Sequence, residues 1–205
     1  MPVVDPTNNH MFSLFPKFSP MRIKYKDIFS FNEFFNAMHE WLMEQGWEAH
    51  DGDLDHWETL YTEKVDRNGL KEHLIRWRLR KKPANSTYLM YYLDIDFHTV
   101  ALGSTEIVRG NQKIKADKGE LELTITAFTQ EIFRREFEKS PLLKFITSLF
   151  SKRIYNSWPR IKDLYLDVYA LNNFIKQWFK LKRYLPYEET KSYYPSQSYP
   201  SHLKE

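Results

Sequence analysis

Two neighbouring stretches, HLIRWRLRKK (73–82) and YLMYYLDIDFH (88–98), alternate apolar and polar residues almost without a break. Successive side chains of a strand point to opposite faces, so a period of two describes a sheet with one apolar and one charged face. His73, Ile75, Trp77 and Leu79 share one face of the first stretch, and Arg76, Arg78, Arg80 and Lys82 share the other. In the second, Leu89, Tyr91, Leu93, Ile95 and Phe97 form the apolar face; Tyr88, Met90, Tyr92, Asp94, Asp96 and His98 form the polar one. A slip of one residue would set arginines beside leucines, so matching faces fixes the register to within two residues. With a turn at Pro83–Ser86 and Lys82 opposite Tyr88, Arg76 is expected opposite Asp94, and Trp77 opposite Leu93.

The remaining elements extend this pair into an α+β domain. MRIKYKD (21–27) alternates and reads as a strand. Ser30 then offers an N-cap with Glu33 three residues on, a capping box. Phe31, Phe34, Phe35, Met38, Trp41 and Leu42 recur at the spacing of one buried helical face, and Gly46 supplies the stop. Asn68-Gly69 signals a two-residue type I′ hairpin, which pairs a strand at 59–66 with 71–82 and sets Tyr61 opposite Arg76. Trp57, Leu60, Tyr61 and Val65 also fit helical spacing, so 57–65 reads as strand or helix. Gly103-Ser104, Gly110-Asn111 and Lys118-Gly119 mark further turns, and a last strand from Glu120 to Phe133 buries Leu121, Leu123, Ile125 and Ala127. Ser140-Pro141 begins a helix, and a second starts near Ser157–Pro159 with Ile161, Leu164, Val168, Leu171, Ile175 and Trp178 inside. The expected architecture is a five- to six-stranded antiparallel meander packed by one N-terminal helix and a C-terminal helical hairpin. Residues 21–183 form this single domain, between an irregular arm (1–20) and a Tyr/Pro/Ser-rich disordered tail (184–205).

Composition narrows the chemistry. The 205 residues contain no cysteine, which excludes disulfides, thiolate metal sites and a cysteine nucleophile. Six glycines leave little room for phosphate-cradling loops, and the common nucleotide, hydrolase and zinc-protease motifs are missing. No cofactor is expected. The N-terminus lacks a basic segment followed by an apolar run, and no uncharged stretch spans a bilayer, so an intracellular, cytoplasmic location is expected, with peripheral membrane attachment left open.

The net charge of +3 conceals a segregation: residues 30–75 carry a net −8 and residues 139–184 a net +8. The two segments either face each other inside one fold or leave a basic surface for an acidic partner. That surface would be built from Lys144, Lys152, Arg153, Arg160, Lys162, Lys180, Lys182 and Arg183, against an acidic protein or an anionic membrane, with nucleic acid a lesser alternative. The first functional expectation is therefore a non-enzymatic binding or adaptor protein.

Asp94, Asp96 and His98 raise an alternative. Alternate spacing sets two carboxylates and an imidazole on one strand face, a donor set able to hold a divalent metal for hydrolysis, with His73 as a further candidate. The competing reading is a cross-strand ladder of Arg76, Arg78 and Arg80 with Asp94 and Asp96, in which the arginines occupy the carboxylates. In HDGDLDH (50–56), Asp51, Asp53 and Asp55 match the start of a calcium loop, but His56 stands where the turn glycine belongs and Thr62 where the bidentate glutamate belongs. His50 and His56 could add zinc ligands; the plainer reading is a solvated loop with Asp55 and Glu58 capping a short turn.

EWLMEQGW, WRLRKKP, YYLDIDFH and KADKGELEL together resemble uncharacterised intracellular proteins of similar length from small-genome archaea, over residues 21–183. That resemblance implies no activity and no site residues. The order strand, helix, meander, C-terminal helices is also similar to helix-grip lipid-binding domains, which implies a third alternative: carriage of an apolar ligand between sheet and helices.

Overall fold

The computed structural model describes residues 11–15, 20–52, 56–84, 86, 89–109, 112–132, 145 and 158–181. It is an α+β protein built on a seven-stranded antiparallel sheet. The strands are β1 (Met11–Ser13), β2 (Met21–Phe29), β3 (Glu48–Ala49), β4 (Glu58–Val65), β5 (Lys71–Lys81), β6 (Leu89–Arg109) and β7 (Gln112–Glu131). The described helices are α1 (Phe31–Glu44) and α2 (Trp158–Trp178). β5, β6 and β7 form the centre; β3 and β4 both pair with the outer side of β5, and β1 and β2 both pair with β7. The strand at Met11–Ser13 corrects the expectation of an irregular arm throughout 1–20, because its backbone completes the ladder against Phe128–Gln130. The helix expected from Ser140 and the tail from 184 lie outside the described residues.

Cap chemistry fixes α1. Ser30 is extended (φ −95°, ψ 106°), and its side chain accepts from the Glu33 amide at 3.4 Å. At the other end Gly46 takes φ +80°, Trp47 N–H donates to the Leu42 carbonyl, and Gly46 N–H donates to Met43. This paired closure requires a left-handed residue, and glycine carries no Cβ penalty there. Phe34, Met38 and Leu42 are fully buried on one stripe. Phe35 lies against Trp77 (4.6 Å between ring centroids) and Phe97 (5.4 Å), so α1 covers the apolar face of β5 and β6. Trp57 meets Trp77 edge-on at 5.6 Å and His39 at 4.0 Å. Each such ring pair adds about 0.5–1.5 kcal/mol beyond simple burial. Trp57, Trp77, Ile95 and Phe97 fill the middle of this layer with rings and branched chains.

The turn before β5 and the registers on both sides of β5 differ from the sequence reading. The Asn-Gly turn is not type I′. Only Gly69 has positive φ (+76°), Asp66 N–H donates to the Leu70 carbonyl, and Gly69 N–H donates to Asp66. This is a three-residue loop, a turn closed by a left-handed glycine. The register therefore moves by one: Tyr61 opposes Ile75, and Glu63 opposes His73. A further irregularity between Glu58 and Leu60 sets Glu58 opposite Trp77. Between β5 and β6, Arg76 opposes Asp96 and Trp77 opposes Ile95, two residues from the expected pairing and on the correct faces.

Gly103-Ser104 and Lys118-Gly119 are not turns. β6 and β7 run as one long hairpin whose ladder reaches Arg109 opposite Gln112, with a bulge where Ala101 and Leu102 oppose Gly119. Ala101 adopts φ +52°, and a Cβ on Gly119 would lie 2.9 Å from Leu102 Cα and 3.1 Å from the Ala101 carbonyl oxygen. Glycine marks here a close backbone approach rather than a chain reversal.

The chain divides into two compact units, Met1–Val168 and Tyr169–Glu205, with the boundary inside α2; the sequence led to one domain over 21–183. In the first unit Leu164 and Val168 are buried, and Asp167 meets Lys81 at 2.7 Å. In the second, Leu171, Ile175 and Phe179 are buried, whereas Trp178, expected inside, is 40% exposed. The helix closes there: Leu181 N–H donates to the Lys176 carbonyl and Lys180 takes φ +53°. No helix among the described residues is long and apolar enough to cross a membrane.

Candidate functional site

The polar face of β5 and β6 brings the arginines onto the carboxylates. The Arg78 guanidinium is 5% exposed. Its Nη1 donates to the Trp77 carbonyl at 2.8 Å, Nη2 lies 2.7 Å from Asp96 Oδ1, and Nε lies 3.6 Å from Asp94 Oδ2. Arg76 Nε approaches the same Asp96 oxygen at 3.8 Å. Asp96, the more exposed of the two carboxylates, thus takes the close contact, while the more buried Asp94 keeps only the longer one. Burial pushes the Asp94 carboxyl up to about 6, against the pull of Arg78. Arg80, expected in the same ladder, opposes Tyr92 and pairs instead with Glu48 of β3 at 2.9 Å. His98 turns to Glu72 at 2.9 Å, away from the two aspartates. Among the described residues no group of three or more His, Asp or Glu side chains is placed to hold a metal ion. This face is a cross-strand ion-pair network.

A different set converges at the start of α1. A cleft of about 440 Å³ is lined by Phe31, Phe35, Tyr61, Glu63, Lys71, His73, Ser104 and Asp117, among others. Each member arrives for a local reason. Glu63 and His73 are directly opposed across β4 and β5, and Tyr61 and Lys71 lie two residues from them on the same faces. Asp117 reaches in from β7, where its Oδ2 accepts from the Phe31 amide at 3.1 Å and so caps the first helical N–H. The bulge in β6 leaves Leu102 and Ser104 at the rim.

His73 is the centre of this arrangement. Its side chain is 7% exposed, stacked on Phe31 at 5.3 Å with an interplanar angle of 10°. Thr99 Oγ1 accepts from the His73 backbone N–H at 2.9 Å and lies 3.0 Å from ring Nδ1. Nε2 faces Glu63 Oε2 at 3.7 Å, beyond hydrogen-bond distance. Burial lowers the His73 pKa below its ordinary value, more than Glu63 raises it, so the ring is neutral at neutral pH. The ammonium of Lys71, 2.8 Å from Glu63 Oε1, holds the Glu63 carboxyl below the usual range. Burial, reinforced by Glu63, raises the Tyr61 hydroxyl, which donates to Glu63 Oε2 at 3.4 Å. Such a constellation can hold a ligand through two carboxylates, one imidazole and aromatic walls.

Of the basic residues assigned to a docking surface, Lys162 and Lys180 are described and exposed, in different units; the side chains of Lys144, Lys152, Arg153, Arg160, Lys182 and Arg183 lie outside the described residues. Several acids of the 30–75 segment find partners in the sheet itself: Glu48 with Arg80, Glu63 with Lys71, Glu72 with His98. His50 sits in a turn, its N–H donating to the Arg78 carbonyl, and His56 is exposed, while Asp53 and Asp55 are outside the described residues. The sequence reading missed Tyr61, Glu63, Lys71, Thr99 and Asp117. The signal that would have found Glu63 is its pairing with His73, which the two-residue turn put out of register. Comparison with protein-family models, curated proteins and solved structures finds no match.

Proposed function

We propose that this protein binds a small molecule in the cleft at the start of α1, with no chemistry performed on it. The observation that carries the reading is the convergence of Glu63, His73 and Asp117 with the rings of Phe31 and Tyr61 on one cleft at the start of α1. Volume supports the same reading: about 440 Å³ lies within the span of small-ligand sites. The sheet–helix interior expected for an apolar ligand is occupied by Trp57, Trp77 and Phe97, which favours the end of the layer over its middle.

The test is a fragment screen read by NMR on protein labelled with carbon-13 at histidine and phenylalanine. Binders are expected to move the His73 and Phe31 ring signals together and to lose affinity in Phe31→Ala. Hits that leave both rings unmoved would place binding elsewhere and overturn the reading.

A further inference from the structure

We propose that Asn68-Gly69 is a self-modifying site, where asparagine converts spontaneously to isoaspartate and loosens the turn that aligns Glu63 with His73. The inference concerns the backbone between β4 and β5 and does not depend on ligand binding in the cleft. Asparagine is a chemically labile residue, and the reaction at its side-chain amide needs the backbone nitrogen of the following residue within reach. Asn68-Gly69 is the single Asn-Gly of the chain, and both residues are exposed. Glycine has no Cβ to obstruct ring closure, and even a Cβ built on Gly69 would have no neighbour within 4 Å. The nitrogen is held by a bond from Gly69 N–H to the Asp66 carbonyl at 2.9 Å. Most of β4 is exposed beside it, so opening this end of the hairpin costs little. Asn36 of α1 and Asn172 and Asn173 of α2 lie inside helices, where the next amide is held in the helical ladder.

The step needs only water. The Gly69 nitrogen, deprotonated, attacks Asn68 Cγ; the N–Cγ bond forms, the Cγ–Nδ2 bond breaks, and ammonia leaves with the amide proton. The product is a five-membered succinimide. Water then opens one of its two carbonyls. Breaking the new N–Cγ bond gives aspartate and the original backbone. Breaking the bond from nitrogen to the Asn68 backbone carbonyl carbon gives isoaspartate, whose main chain runs through Cβ and Cγ. That extra main-chain atom falls inside the loop closed by the Gly69–Asp66 and Asp66–Leu70 bonds. The length of this loop sets the position of β4 along β5. The same alignment places Glu63 opposite His73 and brings Lys71 within 2.8 Å of Glu63.

The test ages the full chain in mildly acidic and mildly alkaline buffer and maps its peptides by mass spectrometry. The amide-to-acid mass gain is expected at Asn68 before any other asparagine, faster in alkali, with fragmentation identifying isoaspartate. Asn68→Ser removes the reacting amide and should show no gain at this peptide. Another asparagine converting first, or no conversion at Asn68, overturns the site. The consequence is read by NMR on the aged chain labelled with carbon-13 at histidine and phenylalanine. The His73 ring signal should shift while that of Phe34, fully buried under α1, holds. Asn68→Asp carries the same charge on a normal backbone and should leave His73 as in the parent. Isoaspartate with His73 unmoved, or Asn68→Asp shifting it equally, overturns the effect on the turn. Movement of the His73 and Phe34 rings together marks general unfolding and overturns it as well.

Discussion

Asp94 provides a pH-dependent test of how burial and pairing compete on the charged face of the sheet. Its carboxyl is raised from 3.8 to about 6, with burial the largest cause and Arg78 opposing it. The distances explain why burial wins. Asp96 holds the short contact to Arg78 at 2.7 Å, and Asp94 is left at 3.6 Å, longer than a charge-assisted hydrogen bond. Between the unfolded and folded pKa values the native state binds more protons than the unfolded state, so stability falls as pH rises through this window. At about 1.4 kcal/mol per pH unit, ionising Asp94 in the native state costs about 3 kcal/mol. About 2 kcal/mol of this falls between roughly pH 4.5 and pH 7.5. Asp94→Asn mimics the protonated form and removes the dependence, while other titrating groups cancel in the comparison. The assay is urea denaturation of both proteins at these two pH values. The stability of Asp94→Asn relative to the parent should rise by about 2 kcal/mol from the lower to the higher pH. A difference that is constant with pH, or that shrinks as pH rises, would show that Arg78 pairing outweighs burial and refute the reasoning. Carbon-13 NMR of the Asp94 carboxyl should independently give a midpoint near 6.

The same network predicts that Arg78→Met destabilises the protein by about 3 kcal/mol, because two carboxylates lose their buried partner; an unchanged urea midpoint would contradict this, and adding Asp94→Asn should recover part of the loss. At the β6 bulge, Gly119→Ala should cost about 1–3 kcal/mol, since its Cβ would meet backbone at 2.9 Å. Ala101→Gly should instead stabilise by about 1 kcal/mol by relieving φ +52°, and thermal melts of the pair should move in opposite directions. Ser30→Ala removes the side-chain cap of α1 and should cost about 1 kcal/mol by denaturant titration; no change would mean that the 3.4 Å contact with Glu33 contributes nothing.

What depends on neighbours along the chain was legible in the residues alone. Period-two alternation assigned the faces of β5 and β6 residue by residue, because a strand has no other way to separate Ile75, Trp77 and Leu79 from Arg76, Arg78 and Arg80. Ser30 and Gly46 bounded α1 correctly, because capping is decided within one turn of the helix end. How those faces meet was not legible there. A turn of two or three residues fits the same Asn-Gly, and the choice moves every residue of β4 by one position along β5. With two residues Glu63 would oppose Leu74, on the wrong face; with three it opposes His73 and the cleft exists. Thr99 completes the site from β6, where the ladder sets it opposite His73, and Asp117 from β7, beyond a bulge that no local pattern announces. Local periodicity specifies which side a residue faces. What it faces is settled by turn length, bulges and packing between strands far apart in the chain.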